Sequence, residues 1–275
     1  MLILGLTGSI ATGKSTVAAL LTSPPHNLPL IDADLLARQV VAPGRPAYRK
    51  IVRYFSASTP DLLLPPSSST DDEAGATSDE RPLNRAALGR RVFGSTPPII
   101  RDRLALNRIV HPAVRWEIWK GLLLNYLHGY WCTVIDVPLL FESGMDRFCG
   151  VVMVVAVTNA EVQMGRLRAR DPHLSAEDAR ARVESQVGVG EKVKRVEARG
   201  DGMGVVVWND KESDELQREV RKGMDEVRVG SPAWWAMLLW LLPPLGMFIA
   251  FETMLRSALA RKTWLLEKQR EKARL

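Results

Sequence analysis

Apolar positions along the chain fall into short unbroken runs that alternate with longer stretches of helical period. Leu2-Ile3-Leu4-Gly5-Leu6, closing on Thr7-Gly8, reads as a parallel strand buried on both faces, and residues 14–21 read as the helix after it. Leu30-Ile31 is a second short strand closing on Asp32-Ala33-Asp34, with a helix expected through Val41. Residues 133–137 and 151–157 are β-branched runs, and 205–208 gives a last strand. Helical patterns fill the intervals, above all 98–127 and 160–187. Strands alternating with helices predict βαβ units, a parallel sheet and right-handed crossovers. Ligands of such sheets bind at the carboxyl ends of the strands. Residues 8–15, 32–34 and 138–142 are thereby expected on one rim.

Two segments depart from this alternation. Residues 56–82 are rich in Ser, Pro and acids with little to bury beyond Leu62 to Leu64, and read as a disordered surface insertion. Residues 229–251 carry no charge; as one helix these 23 residues would span about 35 Å, enough for a bilayer core of about 30 Å. Trp234 and Trp235 at one end, and Arg256, Arg261 and Lys262 beyond the other, suit interfacial anchors. Pro243-Pro244 at the centre would kink or break a spanning helix. The readings are a kinked membrane span, a shallow hairpin entering and leaving one face, or a buried C-terminal helix. The expected organisation is a catalytic domain over 1–228, a hydrophobic membrane segment over 229–255 and a basic tail over 256–275.

Composition adds little to this pattern. The net charge of +6 conceals two opposed segments. Residues 256–275 hold seven Lys/Arg against two Asp/Glu, whereas 56–82 hold six acids against one Arg. The remaining excess is diluted over most of the chain, which suits an anionic substrate and gives no stripe for nucleic acid. Cys132 and Cys149 sit beside apolar runs, without zinc spacing, and read as small buried hydrophobes in a reducing compartment. Only Met1 precedes the first strand, so no secretory leader is read, and the catalytic part is expected in the cytosol.

The chemistry enters with Gly8-Ser9-Ile10-Ala11-Thr12-Gly13-Lys14-Ser15, a match to G-x-x-x-x-G-K-[ST] between strand and helix. Glycines let the backbone curl so that successive amides face a phosphate, and the helix start adds its positive dipole end. Lys14 can reach the β- and γ-phosphates of ATP, and the Ser15 hydroxyl can ligate Mg²⁺. Asp32 and Asp34 stand two apart at the end of the second strand. One is expected to cap the following helix and the other to take a proton or hold metal. Arg166 and Arg170 share a helix face and suit a lid of cations over a migrating phosphoryl group. His111-Pro112 follows a helix containing Arg101, Arg103 and Arg108. Asp136 ends the third strand, where a second acid for metal often stands, and Pro138 and Glu142 follow it as a possible substrate wall.

Taken together these residues resemble the dephospho-coenzyme A kinase family. Gly5 to Ser15 reads GLTGSIATGKS against the family's G-L-T-G-G-I-G-S-G-K-S, and Asp32 to Arg38 matches D-A-D-x-x-A-R. Leu83 to Phe93 matches L-N-R-x-x-L-G-x-x-V-F, Ile109 to Pro112 matches I-V-H-P, Pro138 to Glu142 matches P-L-L-F-E, and Arg166 to Asp171 matches R-L-x-x-R-D. A weaker likeness to V-I-D-N-x-G-S lies at Val207 to Ser213. The resemblance covers about residues 1–227. It implies a three-layer α/β P-loop fold with a parallel sheet, a helical substrate-binding region near 84–130 and a lid near 160–190. It also implies transfer of the ATP γ-phosphate to the ribose 3′-hydroxyl of dephospho-CoA, with Mg²⁺. Asp34, Lys14 and Arg166 would be catalytic. Residues 8–16, namely the loop through Lys14 with Ser15 and Thr16, would bind ATP together with Arg170 and Asn209. Asp32, Arg38, His111, Pro138 and Glu142 would bind the acceptor, and Ser15 and Asp34 the metal. Ser9 and Ala11 replace two family glycines, and the lid after Gln186 is unusually glycine-rich. The tail past 229 resembles an addition in some fungal relatives and implies an organelle surface: mitochondrial outer membrane, endoplasmic reticulum or lipid droplet. Two other readings stay open: a P-loop kinase for another small molecule such as a nucleoside monophosphate, and a catalytically weak, membrane-tethered nucleotide-binding protein.

Overall fold

The computed structural model describes residues 1–65, 81–171, 173, 180, 183, 188–210 and 213–274. They form two compact units, one of Met1–Ile31 with Leu123–Leu275 and one of Asp32–Leu122.

The first unit is built on strands β1 (Leu2–Gly8), β2 (Leu30–Asp32), β3 (Cys132–Asp136), β4 (Val151–Ala156) and β5 (Gly204–Trp208). They form one five-stranded parallel sheet in the order β2-β3-β1-β4-β5. Leu2 faces Cys132 and Leu6 faces Asp136 across β1 and β3, while Leu4 faces Val151 and Gly8 faces Val155 across β1 and β4. All of β3 and β4 is buried, as parallel strands covered on both faces require. This is why β4 reads in the sequence as an unbroken apolar run, while β3 buries Thr133 and Asp136 among apolar neighbours. The chain builds β2 and β3 on one side of β1 and β4 and β5 on the other, which puts the switch in winding at the carboxyl end of β1.

Helices of this unit are α1 (Lys14–Thr22), α6 (Ala160–Arg170), α7 (Val189–Glu197), α8 (Ser213–Gly230), α9 (Ala233–Leu241) and α10 (Pro243–Arg274). Leu216, Val220, Met224 and Val227 of α8 recur at helical spacing and join Val17 and Leu21 of α1 in one core with β1, β4 and β5. The pattern over 160–187 is helical as α6 up to Arg170; residues 172, 174–179, 181–182 and 184–187 lie outside the described residues.

The apolar stretch 229–251 does not form a spanning helix, and the transmembrane expectation is corrected here. Among the described residues no helix is long and apolar enough to cross a membrane. The cause is the proline pair. Leu242, the residue before Pro243, is pushed out of helical geometry (φ −120°, ψ 75°), so α9 ends at Leu241. Pro243 then opens α10, where its missing amide costs nothing. The basic stretch 256–274 continues α10 instead of fraying from it. Ser257 on this helix is buried.

The second unit holds α2 (Ala33–Gln39), α3 (Pro46–Phe55), α4 (Arg85–Val92) and most of α5 (Pro97–Leu127). Tyr48, Ile51 and Phe55 of α3 pack with Leu62, Leu83 and Val92. The two ends of the stretch 56–82 are therefore ordered: Leu62 is buried, Leu63 bridges Leu83, and the Leu64 amide donates to the Pro82 carbonyl at 2.9 Å. Its middle, 66–80, lies outside the described residues. Asn84 caps α4 by accepting from the Ala87 amide at 3.2 Å. Buried Asp102 of α5 takes the Arg91 guanidinium of α4 at 2.7 Å.

Candidate active site

The loop from Gly8 to Gly13 leaves the buried end of β1 and enters α1, as the motif requires. Thr12 closes its tip. Its amide donates to the Ser9 carbonyl at 3.3 Å and its hydroxyl donates to the same oxygen at 2.9 Å. Gly13 stands before α1 with φ 89°, and the Asn209 amide fills the space where a β-carbon would go. Only glycine fits there. Ala11 also has positive φ, 59°, the conformation that a β-carbon makes costly.

The loop's carbonyls are tied outward by side chains from distant parts of the chain. The Gln163 amide of α6 donates to the Ile10 carbonyl at 2.6 Å. The Asn209 amide, at the end of β5, donates to the Thr12 carbonyl at 2.8 Å. The Lys192 ammonium of α7 donates to the Gly8 carbonyl at 3.3 Å and to the Pro138 carbonyl at 3.1 Å. Thr7 adds a bond from its hydroxyl to the same Pro138 carbonyl at 3.0 Å. A peptide whose carbonyl is turned outward presents its amide inward, so these braces shape a concavity of donors. The first turn of α1 has no side-chain cap, which leaves its amides to an incoming anion.

Charge follows the same arrangement. Lys14 reaches both oxygens of Asp136, at 2.6 and 2.7 Å, across the rim between β1 and β3. Burial pushes the Lys192 ammonium down; Glu142 opposes this and Lys14 adds to it. Ser15 and Thr16 are exposed on the first turn of α1. Arg166 is half-buried and donates to the Asn209 carbonyl at 2.7 Å, so lid arginine and loop brace are linked. Arg170 is exposed beside Asp171, at 3.6 Å. Pro138 is half-buried and Glu142 exposed in the turn after β3.

In the second unit, the two aspartates divide their work. Asp32 caps α2, accepting from the Asp34 amide at 2.8 Å and the Leu35 amide at 3.0 Å. Asp34 is exposed on the first turn, and Arg38 is exposed on the last. His111 is exposed on α5 beside Pro112.

Sequence reasoning missed Gln163 and Lys192. Both carried a signal: Gln163 precedes buried Leu167 by four residues, and Lys192 precedes buried Val196 by four. A polar residue on the apolar stripe of a short helix needs a buried partner. The resemblance implies Asn209 at the ATP, and the structure has its amide on the loop backbone.

Comparison with known proteins gives the family. The family model described as dephospho-CoA kinase matches residues 2–212. The dephospho-CoA kinase of Saccharomyces cerevisiae is 38% identical over 262 residues, covering 95% of this chain and 96% of that protein. The dephospho-CoA kinase of Symbiobacterium thermophilum is 43% identical over 204 residues, covering 74% of this chain and 75% of its own. Among solved structures, dephospho-CoA kinase from Campylobacter jejuni superposes with a TM-score of 0.56 at 25% identity, over 83% of this chain and 98% of that one. The chain belongs to the dephospho-CoA kinase family and is an ATP-dependent phosphotransferase of that kind.

Proposed function

We propose that the chain transfers the γ-phosphoryl group of ATP to the ribose 3′-hydroxyl of dephospho-CoA, completing coenzyme A. The observation that carries this reading is the braced loop with Lys14 at its mouth, in a chain of this family. Inward amides and the start of α1 bind the nucleotide phosphates, and Lys14 exchanges Asp136 for the β- and γ-oxygens. Asp34 accepts the proton of the acceptor hydroxyl as its oxygen forms the new P–O bond. The bond between the γ-phosphorus and the β–γ bridging oxygen breaks, and ADP leaves. Arg166 and Arg170 spread the charge of the migrating group. Asp32, through its cap, fixes the α2 turn that carries Asp34, and Arg38, His111, Pro138 and Glu142 supply acceptor contacts.

Mg²⁺ is the ion that these residue types suit. Ser15 and Asp34 offer hard oxygens, while Cys132 and Cys149 are buried with thiols pushed up to about 12. When bound, the ion would supply charge neutralisation to the phosphates.

Asp34→Asn is expected to lower turnover about a thousandfold, since a lost base acts on the chemical step. Near-normal turnover in that variant removes Asp34 as the base.

A second reading concerns location. Trp234, Met237, Trp240, Met247 and Phe248 are exposed on α9 and the start of α10, in a stretch without charge. The shallow hairpin expected from the proline pair would lay this apolar face on an organelle membrane without crossing it. Flotation of the full chain with phosphatidylcholine–phosphatidylserine vesicles tests this. Co-flotation that is lost in a Trp234→Ser/Trp240→Ser/Phe248→Ser variant supports it, and protein left at the bottom of the gradient refutes it.

A further inference from the structure

Lys192 is fully buried, and its ammonium joins two places that the reaction needs in register. One is Gly8, where the phosphate loop begins, and the other is Pro138, in the turn beyond β3. The helix that carries it is poorly able to hold itself. α7 is nine residues long, has Gly188 in its cap position without a capping side chain, and contains Gly190. A helix this short is marginal alone and depends on what packs against it.

α7 packs on β4 and β5 through Val193 and Val196, and side chains of the C-terminal helix hold it from outside. Arg195, one turn after Lys192, lies between two rings: Phe141 at 4.5 Å and Trp264 of α10 at 4.8 Å. Arg199 donates to the Cys149 carbonyl at 2.8 Å and to the Ser257 hydroxyl of α10 at 3.1 Å. Both arginines stand 3.7 Å from the buried carboxylate of Asp146, and Arg261 of α10 stands 4.0 Å from it. Lys268 of α10 pairs with Glu191, the residue before Lys192. The grip of α10 thus falls on α7 and on residues 141–149, which follow the Pro138 turn that Lys192 ties to the loop.

We infer that α10 is a positioning element of the phosphate site, acting through α7 and Lys192; this rests on the kinase reading for its activity readout. With α10 seated, Lys192 is held on the Gly8 carbonyl and the cradle keeps its curvature before ATP arrives. With α10 released, α7 loosens, Lys192 withdraws and the loop must be ordered at the expense of binding energy. The helix beyond the family-matched residues 2–212 then belongs to the working kinase and is more than an appendage.

The test is a double-mutant cycle in the full chain with Trp264→Ala and Lys192→Met, reading kcat and KM for ATP beside the affinity of a fluorescent ATP analogue. Trp264→Ala is expected to raise KM for ATP about fivefold with a smaller change in kcat, and Lys192→Met to cost about a hundredfold in kcat/KM. The double variant is expected to match Lys192→Met alone, because the two residues act in series. Multiplying losses, or an unchanged KM in Trp264→Ala, overturn the inference. If Trp264→Ala does not fold by circular dichroism, Lys268→Met replaces it, with the same two outcomes. A wild-type chain that binds the analogue but turns over no dephospho-CoA defeats the kinase reading; the cycle is then read on analogue affinity.

Discussion

Ala11 holds a left-handed backbone turn in a loop whose purpose is to aim amides, and it does so with a β-carbon in the way. That conformation costs an ordinary residue about 1–2 kcal/mol, part of which a glycine returns by gaining freedom in the unfolded chain. Ala11→Gly is therefore expected to stabilise the folded state by about 0.5–1 kcal/mol, read as a higher denaturation midpoint at unchanged slope. A lower midpoint contradicts the strain argument. Ser9 raises no such difficulty: it is buried, and its carbonyl serves as the acceptor that lets Thr12 close the turn. The two departures from the family's glycines differ in consequence because only one of them falls where positive φ is needed.

At the scale of elements, packing between α1, the turn after it and α8 carries a titratable device. His26 in that turn has its Nδ1 buried without a hydrogen-bond partner among the described residues, facing Arg228, Asp225 and Arg221 of α8. Burial lowers its pKa below 6.5, Arg228 and Arg221 add to this, and Asp225 opposes it. A depressed folded-state pKa gives stability that is present above 6.5 and lost as pH falls through the lowered value. His26→Gln is expected to flatten the fall in melting temperature below pH 6.5, and an unchanged slope excludes His26 as its source.

Elements also show what the sequence makes legible. β1, the loop and α1 are local, so the pattern of residues 2–21 is enough to read them. β4 announces itself because all six of its residues are apolar and buried, and β3 and β5 through their β-branched runs. The braces on the loop were not legible as a set, since Gln163, Lys192 and Asn209 meet it only after the chain has wound past β4 and β5. The apolar stretch 229–251 misled for a physical reason: hydropathy averages over a window, whereas two prolines at one point divide the helix. The aspartates were legible as a pair, and cap geometry divides them between Asp32 and Asp34.

At the scale of the whole molecule, the carboxyl ends of the strands gather the chemistry and a C-terminal helix holds elements behind them. Lys14 at the start of α1 meets Asp136 at the end of β3, and Arg166 is tied through Asn209 to the loop. The same order of motifs separates this chain from other P-loop kinases, whose acceptors need different walls. The most direct measurement of that claim is ADP release by the full chain with Mg²⁺ and ATP, using dephospho-CoA, AMP and adenosine as separate acceptors. Turnover with dephospho-CoA, and none above background with the other two, is the predicted result. Turnover with AMP or adenosine in place of dephospho-CoA contradicts the account.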